Sequence, residues 1–398
     1  MAEYIRNQYS ILRERIGEPR KFIQVLAGPR QVGKSTLVGQ VLNDVTIPYT
    51  LENADGVNHE DIDWIRRVWE SVRIAMQLQH KEEYLLVIDE VQKIDNWSEA
   101  VKAEWDRDSR EGRNLKVVLL GSSRLLIKKG LTESLAGRFE FIRITHWSYA
   151  EMRDAFGYTL DQYIYYGGYP GPAAMIGNEK RWKKYIKDSL VAPTIEKDVI
   201  MTSNIYKPAL MKRTFELGCG YSGELLSLTK MIGQLQDAGN VTTIAGYIDI
   251  LSQCALLCGL QKYANDDSRK YNSIPKFQVF NNALLTTYKG RSFLQDRQDT
   301  EAWGRWVESA VGAYLVCQAK ELEYKVYYWR ERSDEVDFIV ISDDVTLAIE
   351  VKSGRRKMNN GLPKFTEAFH PTRSFVVGTG GIPIETFLSC NLEDLITE

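Results

Sequence analysis

Short apolar runs alternate with amphipathic stretches over roughly the first 155 residues. Phe22-Ile23-Gln24-Val25-Leu26-Ala27, Tyr84-Leu85-Leu86-Val87-Ile88, Lys116-Val117-Val118-Leu119-Leu120 and Glu140 to Ile144 each have the length of a buried strand. Thr36-Leu37-Val38-Gly39-Gln40-Val41-Leu42 carries its apolar residues at helical spacing. Strands alternating with helices predict a parallel sheet with helices on both faces, an α/β domain whose site lies at the carboxyl ends of its strands.

The pattern changes after residue 155. Over residues 156–290, Leu225 to Gly239, Val241 to Ile248 and Leu256 to Leu260 read as two short helices and a longer one, before a strand at Phe277 to Phe280. That order predicts a helical middle domain of winged-helix type. Over residues 291–398, Arg305 to Leu315 reads as an amphipathic helix with Glu308 near its apolar side. Lys325 to Arg330, Glu335 to Ile341 and Leu347 to Lys352 read as strands. Three domains are expected, with boundaries near residues 155 and 290.

Composition narrows the class. The chain of 398 residues is 44% hydrophobic and 26% charged, ordinary for a globular protein. A net charge of −2 supplies no global basic field, so contact with nucleic acid needs local patches. Charges at Glu3, Arg6, Arg13, Glu14 and Arg15 interrupt the amino terminus, and Ile250 to Leu260 is too short to span a bilayer. Five cysteines without paired spacing argue against a zinc site or a disulfide framework. A cytoplasmic location is expected.

The candidate chemistry starts at Gly28-Pro29-Arg30-Gln31-Val32-Gly33-Lys34-Ser35-Thr36, which reads G-x-x-x-x-G-K-S between a strand and a helix. Such a loop aims backbone N–H groups and a helix N-terminus at phosphate. Gly28, Pro29, Gln31, Val32, Gly33, Lys34, Ser35 and Thr36 are therefore expected to hold ATP. Lys34 would reach the β- and γ-phosphates, and Ser35 would ligate Mg²⁺. About fifty residues on, a strand ends in Asp89-Glu90. Asp89 would hold the magnesium through its water shell and Glu90 would polarise the attacking water. The next strand ends in Gly121-Ser122-Ser123-Arg124, where Ser122 or Ser123 could sense the γ-phosphate or simply form a turn. Arg138, in Leu135-Ala136-Gly137-Arg138, is placed either to reach a neighbouring subunit's nucleotide or to sit in an ordinary loop.

Two basic stretches bear on nucleic acid. Arg181-Trp182-Lys183-Lys184-Tyr185-Ile186-Lys187 interleaves aromatics with positive charge, a pattern that can track phosphates but more often marks a solvated helix face. Ser353-Gly354-Arg355-Arg356-Lys357 is placed to grip a backbone. The segment Val241 to Gln253 holds no lysine or arginine, which favours packing over groove reading.

The phosphate loop, Val-Ile-Asp-Glu-Val-Gln, Gly-Ser-Ser, Leu-Ala-Gly-Arg and Gly167-Gly168-Tyr169-Pro170 together resemble the bacterial and archaeal AAA+ ATPases that carry a carboxy-terminal domain of formerly unknown function. The resemblance implies a P-loop AAA+ core, assembly into a ring, hexameric by preference, and Arg138 as a finger acting in trans. Glu308, Asp337 and Glu350-x-Lys352 resemble the constellation of the PD-(D/E)XK nucleases, with spacing similar to archaeal Holliday-junction resolvases. That implies a restriction-endonuclease-like α/β domain. In it Glu308, Asp337 and Glu350 would hold Mg²⁺, Lys352 would activate water, and branched DNA would be the partner. A structural buried ion pair is the plainer reading of the same residues, and the alternative function is a nucleotide-dependent regulatory switch that binds a protein partner and cuts nothing.

Overall fold

The amino-terminal unit begins with α1 (Gln8–Gly17). It continues through β1 (Ile23–Gly28), α2 (Lys34–Asp44), β2 (Tyr49–Asn53), α3 (Asp63–Leu78), β3 (Glu83–Asp89), α4 (Trp97–Arg110), β4 (Asn114–Ser122) and β5 (Phe139–Arg143). All five strands run parallel, in the order β2-β3-β4-β1-β5. The apolar runs are strands because they are buried on both faces: every residue of β1 is inaccessible, as are eight of the nine in β4. Helix α3 turns Ile65, Val68, Trp69, Val72 and Met76 inward at spacings of three and four, onto the core with Leu86 and Ile88.

This computed structural model describes residues 4–122, 134–200, 205–235, 240–264, 273–343, 345–354 and 360–397. The chain divides into two compact units, residues 1–144 and 145–398. Ser123, Arg124 and the basic run Arg355 to Lys357 lie outside the described residues.

The second unit starts with helices α5 (Tyr149–Phe156), α6 (Leu160–Tyr166), α7 (Glu179–Tyr185), α8 (Pro208–Gly220), α9 (Leu228–Gln234) and α10 (Val241–Gln253). Next come the ribbon strands β6 (Leu257–Leu260) and β7 (Lys276–Val279), then α11 (Asn282–Lys289), α12 (Phe293–Gln298) and the long α13 (Thr300–Leu322). It ends with β8 (Lys325–Glu331), β9 (Asp334–Ser342), β10 (Val345–Lys352), α14 (Gly361–Phe369), β11 (Arg373–Gly378), α15 (Ile384–Ser389) and α16 (Asp394–Thr397). Its main sheet has the order β11-β10-β9-β8. Strands β8, β9 and β10 are antiparallel neighbours, and β11 joins β10 in parallel after the crossover through α14. Trp329, Val336, Ile339, Ala348 and Phe365 form the core between this sheet and α14.

One element corrects the sequence reading. Leu256 to Leu260 is not helical: α10 ends at Gln253, Ala255 just beyond it sits at φ 53°, and the apolar residues that follow pair with β7, Leu257 opposite Val279. A five-residue apolar run fits a buried strand and a buried helix turn equally well, so only pairing decides.

The Gly167-Gly168 turn is set by its neighbours. A Cβ on Gly167 would fall 2.0 Å from Asn281 Oδ1, and one on Gly168 2.0 Å from the Trp147 carbonyl. Asn281 Oδ1 instead accepts from the Gly168 N–H (3.0 Å) and the Ala283 N–H (3.1 Å). Asn282 Nδ2 donates to the carbonyls of Ile164 (2.7 Å) and Trp306 (2.9 Å).

Candidate functional site

Strand register brings the amino-terminal chemistry to one edge. Gly28 ends β1 opposite Ser122 at the end of β4, while Asp89 ends β3 opposite Asn53. The loop from Gly28 then turns into α2 through Gln31 (φ 57°) and Gly33 (φ 89°), the latter capping the helix in the left-handed region where glycine is at ease. Gly28 has no room for a side chain, because a Cβ there would lie 2.0 Å from the Ile144 carbonyl oxygen. Val32 is fully buried, and its carbonyl accepts from Arg6 Nη1 at 3.2 Å. The buried Lys34 ammonium donates to the carbonyls of Gly28 (3.1 Å) and Pro29 (2.6 Å).

Ser35 Oγ donates to Asp89 Oδ2 at 2.8 Å. These are hard oxygen donors of the kind Mg²⁺ takes while keeping part of its water shell, so the residues fit that ion. Bound there with a triphosphate, it would neutralise charge on the phosphate oxygens.

Glu90 occupies a left-handed backbone position (φ 55°), and its N–H donates to Asp89 Oδ1 at 2.8 Å. Gln92 was not singled out by the sequence reading. Its side chain is 1% exposed, and Nε2 lies 2.7 Å from Glu90 Oε2 and 3.4 Å from Ser122 Oγ. It therefore links the residue placed to polarise water with the candidate γ-phosphate sensor. The available signal was the glutamine that closes the Val-Ile-Asp-Glu-Val-Gln run, two residues after Glu90. Gln92→Ala is expected to slow ATP hydrolysis about tenfold, about 1.4 kcal/mol in the barrier, with ATP affinity unchanged. A loss of affinity equal to the loss of rate would show that the amide supports the loop instead.

Arg138 pairs within its own chain. Its Nε and Nη2 donate to Asp106 at 2.7 and 2.9 Å, holding the Asp106 carboxyl below the usual range. Both side chains are about one-third exposed.

In the second unit the predicted carboxylates converge, with two residues added. Phe338 pairs with Ile349, which places Asp337 and Glu350 next to each other along β9 and β10. Asp337 Oδ2 accepts from the Val351 N–H at 2.7 Å. Glu308 on α13, and Glu335 and Asp337 on β9, bring carboxyl oxygens within 4.8 Å of one another. Among them sits the ammonium of Lys276 from β7: 2.6 Å from Glu308, 3.5 Å from Asp337 and 3.7 Å from Glu335. Glu350 is 6% exposed and faces Lys352 at 3.5 Å.

Four carboxylates here face the ammoniums of Lys276 and Lys352. Burial works against the Lys276 ammonium, but Glu308, Asp337 and Glu335 outweigh it and its pKa rises. Burial pushes Glu308 up to about 7, opposed by Lys276 and helped by the like charges of Asp337 and Glu335. Burial also raises Glu350, with Lys352 opposing and Asp337 adding to the shift. Lysine at the head of the strand Phe277 to Phe280 was the overlooked signal. Glu335 could have been found from Asp337, since residues two apart on a strand share a face.

The basic stretch at Arg181 to Lys187 is largely committed. Trp182 is fully buried, Lys183 Nζ donates to the carbonyls of Gly290 (2.8 Å) and Arg291 (2.7 Å), and Lys184 pairs with Asp188.

The first unit is thus a parallel α/β domain carrying a phosphate loop and an Asp-Glu strand end. Residues 20–153 match a family described as an AAA domain, and with this geometry they form an AAA-type nucleotide-binding region. Residues 157–295 match a domain of unknown function, DUF8612, and residues 303–390 match another, DUF4143. The chain is similar to an uncharacterized protein of Mycobacterium tuberculosis, 26% identical over 83% of this chain and 70% of the relative. It is also similar to one of Haemophilus influenzae, 22% identical over 83% and 82% of the two chains. Another, from Methanocaldococcus jannaschii, is 22% identical over 82% and 73%.

Among solved structures, a chain from work on the structural basis for katanin self-assembly aligns over 38% of this chain and 50% of its own length. Its identity is 15% and its TM-score 0.27. A chain from work on DNA unwinding by two coordinating Pif1 helicases aligns over 36% and 44%, with 13% identity and a TM-score of 0.26. Scores that low carry no functional argument. Among the described residues, no helix is long and apolar enough to cross a membrane.

Proposed function

We propose that this chain is a Mg²⁺-dependent ATPase whose nucleotide cycle acts on DNA, with branched or junction DNA as the preferred form. The observation that carries the ATPase reading is the joining of Ser35 to Asp89 at 2.8 Å beside Lys34 and Glu90. Lys34 exchanges its loop carbonyls for phosphate oxygens, Ser35 and Asp89 hold the ion, and Glu90, held by Gln92, orients water at the γ-phosphate. Assembly into a ring, hexameric by resemblance, would let Arg138 leave Asp106 and meet a neighbour's phosphate. A cytoplasmic location is part of this reading.

Support for DNA comes from the second unit. Three antiparallel strands, a crossover helix and a parallel fourth strand set Asp337 beside Glu350, with Glu308 brought in by the preceding long helix, and this grouping supports the nuclease-like reading. The test is the ATP hydrolysis rate with a four-way junction, with linear duplex and with neither. Stimulation of at least several-fold by the junction is expected, along with junction binding. A flat rate and no binding reject the DNA reading and leave the ATPase reading standing.

The second reading is a nucleotide switch that binds a protein partner and cuts nothing. Lys276 among the carboxylates favours it, as do the buried Trp182 and the absence of basic residues from α10.

A further inference from the structure

The residues at Glu308, Asp337 and Glu350 do not fit a divalent ion as the chain holds them. We propose that Lys276 is the resident cation of this carboxylate cluster, standing where a nuclease-like domain would keep its metal, so that the domain binds without metal-dependent cutting. This holds whether the partner is DNA or protein.

An ammonium has three N–H donors and no acceptor. Here three carboxylates, from two elements, surround one Nζ at 2.6 to 3.7 Å, and the Asp337 carbonyl accepts from it as well at 3.3 Å. The Phe338 ring centroid lies 4.8 Å away, on the side where a cation is attracted by the ring face. Magnesium needs its oxygens about 2.0–2.1 Å away in an octahedron. A metal drawn to the same oxygens would share that space with a positive charge, and the lysine has nowhere to withdraw. Its side chain is 1% exposed, and its backbone pairs with Leu260 on one side and bridges to Leu225 on the other. The cation is therefore supplied by the chain itself, from a strand 32 residues before Glu308. Lys352 plays the same part toward Glu350 at the rim, where it stays partly exposed.

The test counts Mn²⁺ bound to the full chain without nucleotide, by the loss of the free-ion signal in electron paramagnetic resonance. Wild type and Asp337→Asn are expected to bind the same number of ions. One ion fewer in Asp337→Asn overturns the proposal, because the native cluster then holds a metal beside Lys276. Lys276→Ala, which opens the space, is expected to gain one Mn²⁺ with Kd below about 1 mM, lost again in Lys276→Ala/Asp337→Asn. A folded Lys276→Ala that gains no ion also overturns it. If Lys276→Ala folds only with Mn²⁺ present, a rise in its melting temperature on adding Mn²⁺, with no rise for wild type, supports the replacement. None of these readouts depends on ATP hydrolysis or DNA, so failure of the proposed function leaves this inference separately decided.

Discussion

Lys34→Ala is expected to abolish ATP hydrolysis and weaken ATP binding by about 10²-fold or more, the loss of charge-assisted donors worth roughly 3 kcal/mol. The ammonium is buried and rests on the Gly28 and Pro29 carbonyls, so it reaches a phosphate by a short exchange of acceptors within the loop. Alanine removes the ammonium at the first residue of α2, while the glycine turn and helix N-terminus remain. Binding of labelled ATP measures the effect, and unchanged affinity would refute the phosphate-loop assignment. Glu90→Gln gives the complementary result. It keeps ATP binding and slows turnover by about 10²-fold or more, the lower range for loss of a positioned base. A normal rate in that variant would assign the water to another residue.

Arg73→Met is expected to lower the stability of the amino-terminal unit by about 3 kcal/mol, the cost of breaking a buried ion pair from one side. Arg73 lies on α3 and reaches across to α4, where its Nε meets Asp108 at 2.8 Å and its Nη1 meets Glu104 at 2.5 Å. Asp108 has no exposed surface and also accepts from Trp69 Nε1 at 3.0 Å. Methionine fills the volume but leaves two buried carboxylates. Arg113 at 3.6 Å from Asp108 and Arg66 at 3.8 Å from Glu104 offset part of the loss, which keeps the estimate at the low end. Thermal unfolding should fall by about 10 °C for a unit of this size. Replacing Glu104 and Asp108 by glutamine and asparagine in the same chain should recover part of it, because neutral amides cost less to bury. A fall of less than about 2 °C would mean that the pair adds nothing net.

What could be read from the sequence was local. The phosphate loop, the Asp89-Glu90 strand end and seven of the nine strands in the two larger sheets show in runs of ten residues or fewer, since burial and spacing are written along the chain; the edge strands β2 and β11 were not read. Gln92 escaped because its meaning lies in Ser122, thirty residues away. Lys276 escaped for the same reason: its acceptors come from α13 and β9, and a lone lysine ahead of an apolar strand gives no sign of what will surround it. The Arg73 network joins two helices through residues 31 and 35 apart. The carboxylates Glu308, Asp337 and Glu350 were found by resemblance, which named those acids and Lys352 but not the Lys276 ammonium among them. Leu256 to Leu260 was misread because periodicity is silent over five residues.

The pairing of Gly168 with Asn281 has a consequence for how the protein is made. The two residues are 113 apart, and Asn282 reaches Ile164 over 118. A ribosome adding about 5–20 residues per second needs on the order of ten seconds to deliver the second partner after the first. For that interval the Gly-Gly turn has been synthesised without the asparagines that fix it, and Tyr163 to Tyr166 lack the helices that will bury them. The nascent amino-terminal unit, whose strands all lie before residue 145, can close early. The remainder must wait for Trp306 to emerge, because its carbonyl is the second acceptor of the Asn282 amide.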